Sequence, residues 1–202
     1  MIVLAREVNN TLILNHPTII KLIRYSQTDF YNDSKPVIVT EYFPNKSLFE
    51  VLEQIRHGTA IPEWNDTKKL INIYGIATGM QYSPANNLIH RDLKTENFLI
   101  DEYLYPRITD FGLSKILHQN LDSMSIQSVN DYKGTPAFFS PEIWDSKNYS
   151  KSSDVYAFGF IVYELITGDL PFINMSSIDI DMMVQMPADC HFEMKFQNAI
   201  KI

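Results

Sequence analysis

Eight consecutive residues, His90-Arg91-Asp92-Leu93-Lys94-Thr95-Glu96-Asn97, hold an acid, a cation and an amide close together, and thirteen residues after Asn97 comes Asp110-Phe111-Gly112. Transfer of a phosphoryl group from ATP asks for those residue types. It needs a base or positioning group for the acceptor hydroxyl, a cation on the transferred phosphate, and oxygen ligands for magnesium. Asp92 suits the first role and Lys94 the second. The side-chain carbonyl of Asn97 and the carboxylate of Asp110 suit the third, because hard magnesium prefers oxygen. Each short motif alone is weak evidence: a histidine before an arginine is commonly an ordinary core or surface residue, and Asp-Phe-Gly is a common turn tripeptide. Their order and spacing together carry the inference.

These residues need elements to hold them. Residues 5–14 read as a helix that Asn15-His16-Pro17 ends, since proline pushes the preceding residue out of helical geometry. Two β-branched and aromatic runs, 19–25 and 37–42, predict antiparallel strands joined by the polar segment 26–35. Ser47 is placed to cap a helix over 48–56, with Glu50 in the capping-box position and Gly58 just beyond. Asp66 is placed to cap a longer helix whose Leu70, Ile73, Ala77 and Met80 recur at three- and four-residue spacing until Pro84 breaks it, which predicts one buried face. The stretches 87–100 and 107–112 read as short strand-and-loop pieces, and the serine-rich segment 114–131 as a mobile one. A helix over 153–167, capped by Ser152 or Ser153 and stopped by Gly168, is apolar nearly all round and belongs inside a core.

Composition narrows the partners. The chain has 202 residues, 45% of them hydrophobic, enough for one domain with a substantial core. Its formal charge of -7, with acidic residues scattered along the chain, argues against nonspecific nucleic-acid binding. The one cysteine, Cys190, offers no intrachain disulfide and no thiolate metal site, which fits a reducing, cytoplasmic setting. No apolar run reaches the ~18–20 residues that a membrane span needs, and the richest stretch, 155–166, contains Glu164. His16, His57, His118 and His191 have no metal-ligand spacing. The tail methionines, Met175 to Met194, read as packing residues.

The run from His90 resembles the catalytic loop of protein kinases, and Asp110-Phe111-Gly112 resembles their magnesium-binding loop. Gly134-Thr135-Pro136 and Ser140-Pro141-Glu142 resemble the end of the kinase activation segment, with serine where the family usually has alanine. Ser153-Asp154-Val155-Tyr156-Ala157-Phe158-Gly159 resembles the start of its central buried helix. The resemblance implies an α+β, two-lobe fold. Residues 1–40 would be a remnant of the N-lobe sheet with its helix, 41–46 the hinge and 47–172 a mostly helical C-lobe. Residues 173–202 form a tail without an assigned structure. It also implies ATP and Mg2+ as cofactors and a protein as substrate. Val39-Thr40-Glu41-Tyr42-Phe43 looks like the hinge that binds adenine through backbone groups, with Thr40 as gatekeeper, Glu41 and Phe43 beside the base and Leu99 packed beneath it. Glu7 stands where the family has its regulatory-helix glutamate. Leu22, His90 and Phe111 would join the stack that aligns the lobes, from which Thr11 departs. Lys94 and Thr135 resemble the serine/threonine-specific pattern, in a chain of tyrosine-kinase-like flavour. Arg91 before Asp92 implies control by phosphorylation of the activation segment, with Ser123, Ser125 and Ser128 as candidates.

Protein kinases hold the ATP phosphates beneath a glycine-rich loop and fix them with a strand lysine paired to the helix glutamate. Here the first glycine is Gly58, and the six residues before Glu7 include no lysine. No arginine follows Arg107, so Glu142 lacks the buried arginine that meets it in kinases. An unpaired buried carboxylate would cost several kcal/mol. The sequence therefore reads as an incomplete kinase domain: a gene fragment, a degenerate paralogue or an incomplete gene model. The alternative function is a pseudokinase or scaffold that binds partners without transferring phosphate.

Overall fold

This computed structural model describes residues 2–59, 61–85, 88–116, 134–146 and 148–169. Ser123, Ser125, Ser128 and the methionine-rich tail lie outside them.

The chain starts with helix α1, Ile2–Leu12. Strands β1, Leu22–Ser26, and β2, Val37–Thr40, then pair antiparallel, with a slip in register between Leu22 and Arg24. The first strand starts later than its apolar run because the first residues of that run pair elsewhere. Ile19 bridges Ile108, and the Ile20 amide donates to the Ile108 carbonyl at 2.9 Å. That linkage docks the hairpin onto the second half of the chain.

Helix α2, Leu48–Arg56, forms with the expected reciprocal cap: the Ser47 hydroxyl accepts from the Glu50 amide, and the Glu50 carboxylate accepts from the Ser47 amide at 2.9 Å. Helix α3, Asp66–Ala85, departs from expectation at both ends and on its face. Asn65 supplies the cap, its Oδ1 accepting from the Lys68 amide at 3.1 Å, and Asp66 is already helical. Pro84 lies inside the helix and Ala85 ends it. Leu70, placed on the buried stripe by spacing, is 65% exposed, whereas Ile73 and Met80 pack against the core as expected, beside the buried Asn72, Gly75, Ile76 and Gly79. A Cβ on Gly79 would stand 2.5 Å from Thr18 Oγ1 and 2.7 Å from Ile108 Cδ1, so α3 meets its neighbours through backbone. Bulk is excluded where Gly79 meets Thr18 and Ile108, while Ile76 is buried in the core and Leu70 and Tyr74 are left outside.

Past α3 come two small antiparallel sheets. Strand β3, Leu88–Ile89, pairs with β6, Lys115–Ile116, while β4, Phe98–Ile100, pairs with β5, Pro106–Ile108. Helix α4, Pro141–Ser146, leads to α5, Lys151–Thr167, whose N-cap is Ser150 rather than Ser152 or Ser153. Ser153 returns the bond to the Ser150 amide, and Gly168, with φ of 79°, stops the helix as expected. The helix is not wholly enclosed, since Val155 and Ile166 are about 60% exposed. Its other face enters the main core, where Leu48, Ile76, Phe98, Phe111, Ile161 and Leu165 are fully buried. Each such side chain contributes roughly 1.5–3 kcal/mol by leaving water. The mixture of helices with small antiparallel sheets is the α+β class expected.

Candidate active site

The loop between β3 and β4 carries the residues singled out by chemistry, and α5 holds its start. Buried Asp154 on α5 accepts the backbone amides of His90 at 2.7 Å and Arg91 at 3.0 Å. Burial pushes the Asp154 carboxyl up, against the pull of His90, these two amides and Arg91. The His90 ring meets the Thr109 carbonyl through Nε2 at 2.9 Å and packs edge-on against Phe111, with centroids 5.0 Å apart. Arg91 then takes a φ of 69°, the left-handed region that non-glycine residues seldom adopt. Two amides donated to Asp154 help to hold that costly turn in place.

Asp92 follows, 9% exposed, with both carboxylate oxygens engaged. Thr135 Oγ1 donates to its Oδ1 at 2.9 Å, and Asn97 Nδ2 donates to its Oδ2 at 3.2 Å and its backbone carbonyl at 2.7 Å. Lys94 Nζ stands 3.8 Å from the same Oδ2. Thr135 can reach Asp92 because Gly134, at φ of 105°, turns the chain against the Arg91 carbonyl, where a Cβ would come within 2.5 Å. Asn97 spends its amide hydrogens on Asp92, which leaves its side-chain oxygen as an acceptor for a cation.

Asp110 is tied to this group through the backbone: the Thr109 amide donates to the Asn97 carbonyl at 3.0 Å. It also adopts a left-handed φ, 61°, and its Oδ1 accepts weakly from the Gly112 amide at 3.4 Å. The structure thus brings Asp92, Lys94, Asn97 and Asp110 together. Two oxygen donors, one a carboxylate, suit magnesium, which commonly keeps one or two protein ligands alongside substrate phosphate and water. Among the described residues no group of three or more His, Cys, Asp or Glu is gathered for a metal.

The adenine-side candidates come from other elements. Thr40 ends β2 with its hydroxyl donating to the Glu41 carbonyl at 3.2 Å, and Glu41 Oε1 accepts from the Lys21 amide at 3.0 Å. Phe43 is buried in the core, while Leu99 in β4 is half-buried and bridges Ser47. The 43–47 segment therefore runs beside β4, two residues from Asn97, but no hydrogen bond joins Thr40 or Glu41 to the acidic cluster among the described residues.

Helix α1 reaches the same region. Buried Asn10 donates to the carbonyls of Phe111 at 3.1 Å and Ser114 at 3.3 Å. Burial and the nearby Asp110 carboxylate push the Glu7 carboxyl up, so its influential neighbour is a like charge. Thr11, out of pattern in the stack, is buried with its hydroxyl donated to the Glu7 carbonyl at 2.7 Å. The expectation that Glu142 is an unpaired buried carboxylate is corrected. Glu142 is half-buried, and its Oε1 accepts from Ser153 Oγ at 3.1 Å, so a serine on α5 supplies the partner.

Sequence reasoning gave no role to Asn10, and it placed Asp154 and Thr135 within motifs without their bonds. Asp154 had one legible signal, a carboxylate at the start of an otherwise apolar helix. The bonds of Thr135 and Asn10 left no signal, because their partners lie 43 and 101 residues away.

Comparison with known proteins agrees with this geometry. A family model described as the protein kinase domain matches residues 2–201. The chain is 36% identical over 171 residues to a probable serine/threonine-protein kinase of Dictyostelium discoideum, covering 85% of this chain and 17% of that protein. It is 36% identical over 194 residues to developmentally-regulated protein kinase 1 of the same organism, covering 96% and 24%. Cysteine-rich receptor-like protein kinase 10 of Oryza sativa subsp. japonica is 35% identical over 158 residues, covering 77% and 23%. The chain thus spans about a quarter or less of the length of these relatives.

Proposed function

Because the chain belongs to the protein kinase domain family, we propose that it acts as a serine/threonine kinase domain, transferring the γ-phosphoryl group of ATP to a hydroxyl of a protein substrate. One observation carries this reading: Asp92 is held on both oxygens, by Thr135 and Asn97, with the Lys94 ammonium at 3.8 Å. Asp92 so fixed orients the substrate hydroxyl and takes its proton as the oxygen–phosphorus bond forms and the bond from phosphorus to the ADP oxygen breaks. Lys94 offers its charge to the transferred phosphoryl group. Asn97, through its free side-chain oxygen, and Asp110 would hold Mg2+, which when bound neutralises phosphate charge. The backbone of Glu41 and Phe43 would receive adenine, with Thr40 at its edge and Leu99 beneath. The Thr135–Asp92 bond supports serine/threonine preference, as does the naming of one relative as a probable serine/threonine-protein kinase.

The same reading divides the chain into a sheet-and-helix part to residue 40, a hinge at 41–46, a helical part from 47 to 172 and a tail beyond. The -7 charge supports a partner other than nucleic acid, and the single cysteine supports a reducing, cytoplasmic compartment. Among the described residues no helix is long and apolar enough to cross a membrane.

The test is thermal unfolding of the full chain with and without magnesium and ATP, beside Asp110→Ala, followed by phosphotransfer with Asp92→Asn. Ligand at about a hundred times its dissociation constant adds about 2.7 kcal/mol to a folded state it alone binds. A magnesium-dependent shift that Asp110→Ala abolishes, together with transfer that Asp92→Asn abolishes, is expected. Transfer that survives Asp92→Asn overturns the assignment, and no shift in a cooperatively folded chain favours a scaffold.

A further inference from the structure

One buried carboxylate has no part in the chemistry so far. Glu164 lies in the last third of α5 and is 0% exposed. Its Oε2 accepts the Thr95 hydroxyl at 3.1 Å, while its Oε1 has no partner among the described residues. Thr95, itself 1% exposed, opens the single 3-10 turn Thr95–Asn97 that delivers Asn97 to Asp92. The residue capping that turn is Lys94, and its side chain makes no capping bond. The turn's side-chain tie to the rest of the protein at its start is therefore the one to Glu164.

The loop is staked at two points to one helix. Asp154 takes its start through the His90 and Arg91 amides, and ten residues along α5, about 15 Å at helical rise, Glu164 takes Thr95. Asp92 and Lys94 lie between the stakes and Asn97 just past the second. A loop held at one end alone would pivot, and displacement of Asn97 would break its bond to Asp92.

We propose that Glu164 is a positioning residue for phosphoryl transfer, a latch that accepts Thr95 and keeps the turn bearing Lys94 and Asn97 in register with Asp92. This rests on the kinase reading. The latch is sensitive to protons, because the ionised carboxylate is the stronger acceptor for a hydroxyl. Burial pushes Glu164 up to about 7, opposed by the Thr95 bond and the Arg56 charge and reinforced by Glu96. The charged groups around it are Arg56 from α2, Glu53 paired to that arginine at 2.8 Å, and Glu96 from the turn. Arg56 is directed elsewhere by its bonds to Glu53 and to the Gly168 carbonyl, and its Nη2 is left buried without a partner. It therefore attracts Glu164 without closing a pair, and ionisation stays within reach near neutrality.

The experiment uses the full chain and the variants Thr95→Val, Thr95→Ser and Glu164→Gln, with kcat and KM for ATP followed from pH 6 to 8.5 and backbone amide exchange at residues 95–97. Thr95→Val should lower kcat by roughly tenfold or more, as small misplacements of reacting groups do, with KM for ATP within about twofold. Thr95→Ser, which keeps the hydroxyl, should restore it. Wild-type kcat should rise through pH 7, and Glu164→Gln should flatten that rise. Amides 95–97 should exchange faster in Thr95→Val than in Thr95→Ser. Equal kcat in the valine and serine variants with unchanged exchange overturns the latch, even if Glu164→Gln fails to fold. If the wild type transfers no phosphate, the kinase reading fails on its own, while the exchange comparison still decides whether Glu164 holds the turn.

Discussion

Asp92 and Glu7 are both carboxylates of the candidate site, and their surroundings are opposite. Asp92 receives a hydroxyl on one oxygen and an amide on the other, with an ammonium nearby. Glu7, on α1, is half-buried beside the carboxylate of Asp110, which together with burial raises its proton affinity. The helical half, from α2 to α5, satisfies its chemistry from its own residues. The α1 side presents a negative charge that the described residues do not neutralise. Two neighbouring carboxylates without a cationic partner among the described residues are suited to cations brought by a ligand, so nucleotide with magnesium should matter far more to the α1 side than to Asp92.

The strongest way to break this contrast is at Asp92. Asp92→Asn keeps shape and burial but removes the proton acceptor, so phosphotransfer should fall by about 10²–10⁴, the range general bases supply. The one amide oxygen can still accept from Asn97, which also keeps its bond to the backbone carbonyl, and the new NH2 can donate to the Thr135 hydroxyl, so the unfolding midpoint should move little. A midpoint that collapses along with the rate would show Asp92 to be mainly a structural knot. In that event the helical half would not hold its chemistry preorganised.

Next in size is the pH dependence of folding at Glu164, which tests how complete that half is. A carboxyl raised from 4.5 to about 7 binds its proton more tightly folded than unfolded. Stability from this group is fully present below about pH 4.5 and is lost as pH rises to about 7, after which it levels off. The loss is on the order of 3 kcal/mol at 1.36 kcal/mol per unit. Other carboxylates titrate in the same range, so the measured quantity is the stability of Glu164→Gln minus that of wild type at pH 5 and pH 8. The difference should swing toward the variant as pH rises. A difference independent of pH would mean that Glu164 stays ionised, held by Arg56.

Gly79 tests the packing beneath both halves. Its missing Cβ lets α3 lie against Thr18 and Ile108, the residues through which the hairpin side meets β5. Gly79→Ala should cost about 1–3 kcal/mol by overpacking despite its better helix propensity. Denaturant unfolding would measure it, and Gly159→Ala, where a Cβ meets nothing within 4 Å, is the control, expected to be neutral or stabilising.

This packing also marks where the sequence was readable. The Ser47–Glu50 capping box and the Gly168 stop were legible because each is decided within a few residues. The chemistry cluster was legible because eight of its residues are consecutive and the rest follows at a fixed distance. On α3 Leu70 was misplaced while Ile73 and Met80 pack against the core as read, and the closest approach was missed because Gly75 and Gly79 carry no hydropathy signal. The caps at Asn65 and Ser150 were displaced by one to three residues, since several neighbouring side chains could serve and geometry chose among them. Glu142 was misjudged because its partner, Ser153, was sought among arginines. Glu164 was visible only as an interruption of an apolar run, and its target, Thr95, is 69 residues away.

The smallest effect sharpens the comparison most. Glu7→Gln removes a charge that Asp110 repels and that no described residue pairs. Above the raised pKa of Glu7 the wild type bears that repulsion and the variant does not, so at pH 8 Glu7→Gln should be slightly more stable than wild type without ligand. As pH falls well below 4.5, where Glu7 is protonated in both folded and unfolded chains, the two should converge. The gain stays below about 1 kcal/mol, because water reaches a half-buried group and screens it. Burial is the larger cause of the raised Glu7 carboxyl and Asp110 the smaller, so the gain should shrink but not vanish in an Asp110→Asn background, which a double-mutant cycle of unfolding free energies would show. Addition of magnesium and ATP should reverse the order of stabilities, since the wild type then has cations to receive its charge. If Glu7→Gln instead costs more than about 1 kcal/mol without ligand, Glu7 has a cationic partner after all, and the two carboxylates are alike in drawing their partners from the chain.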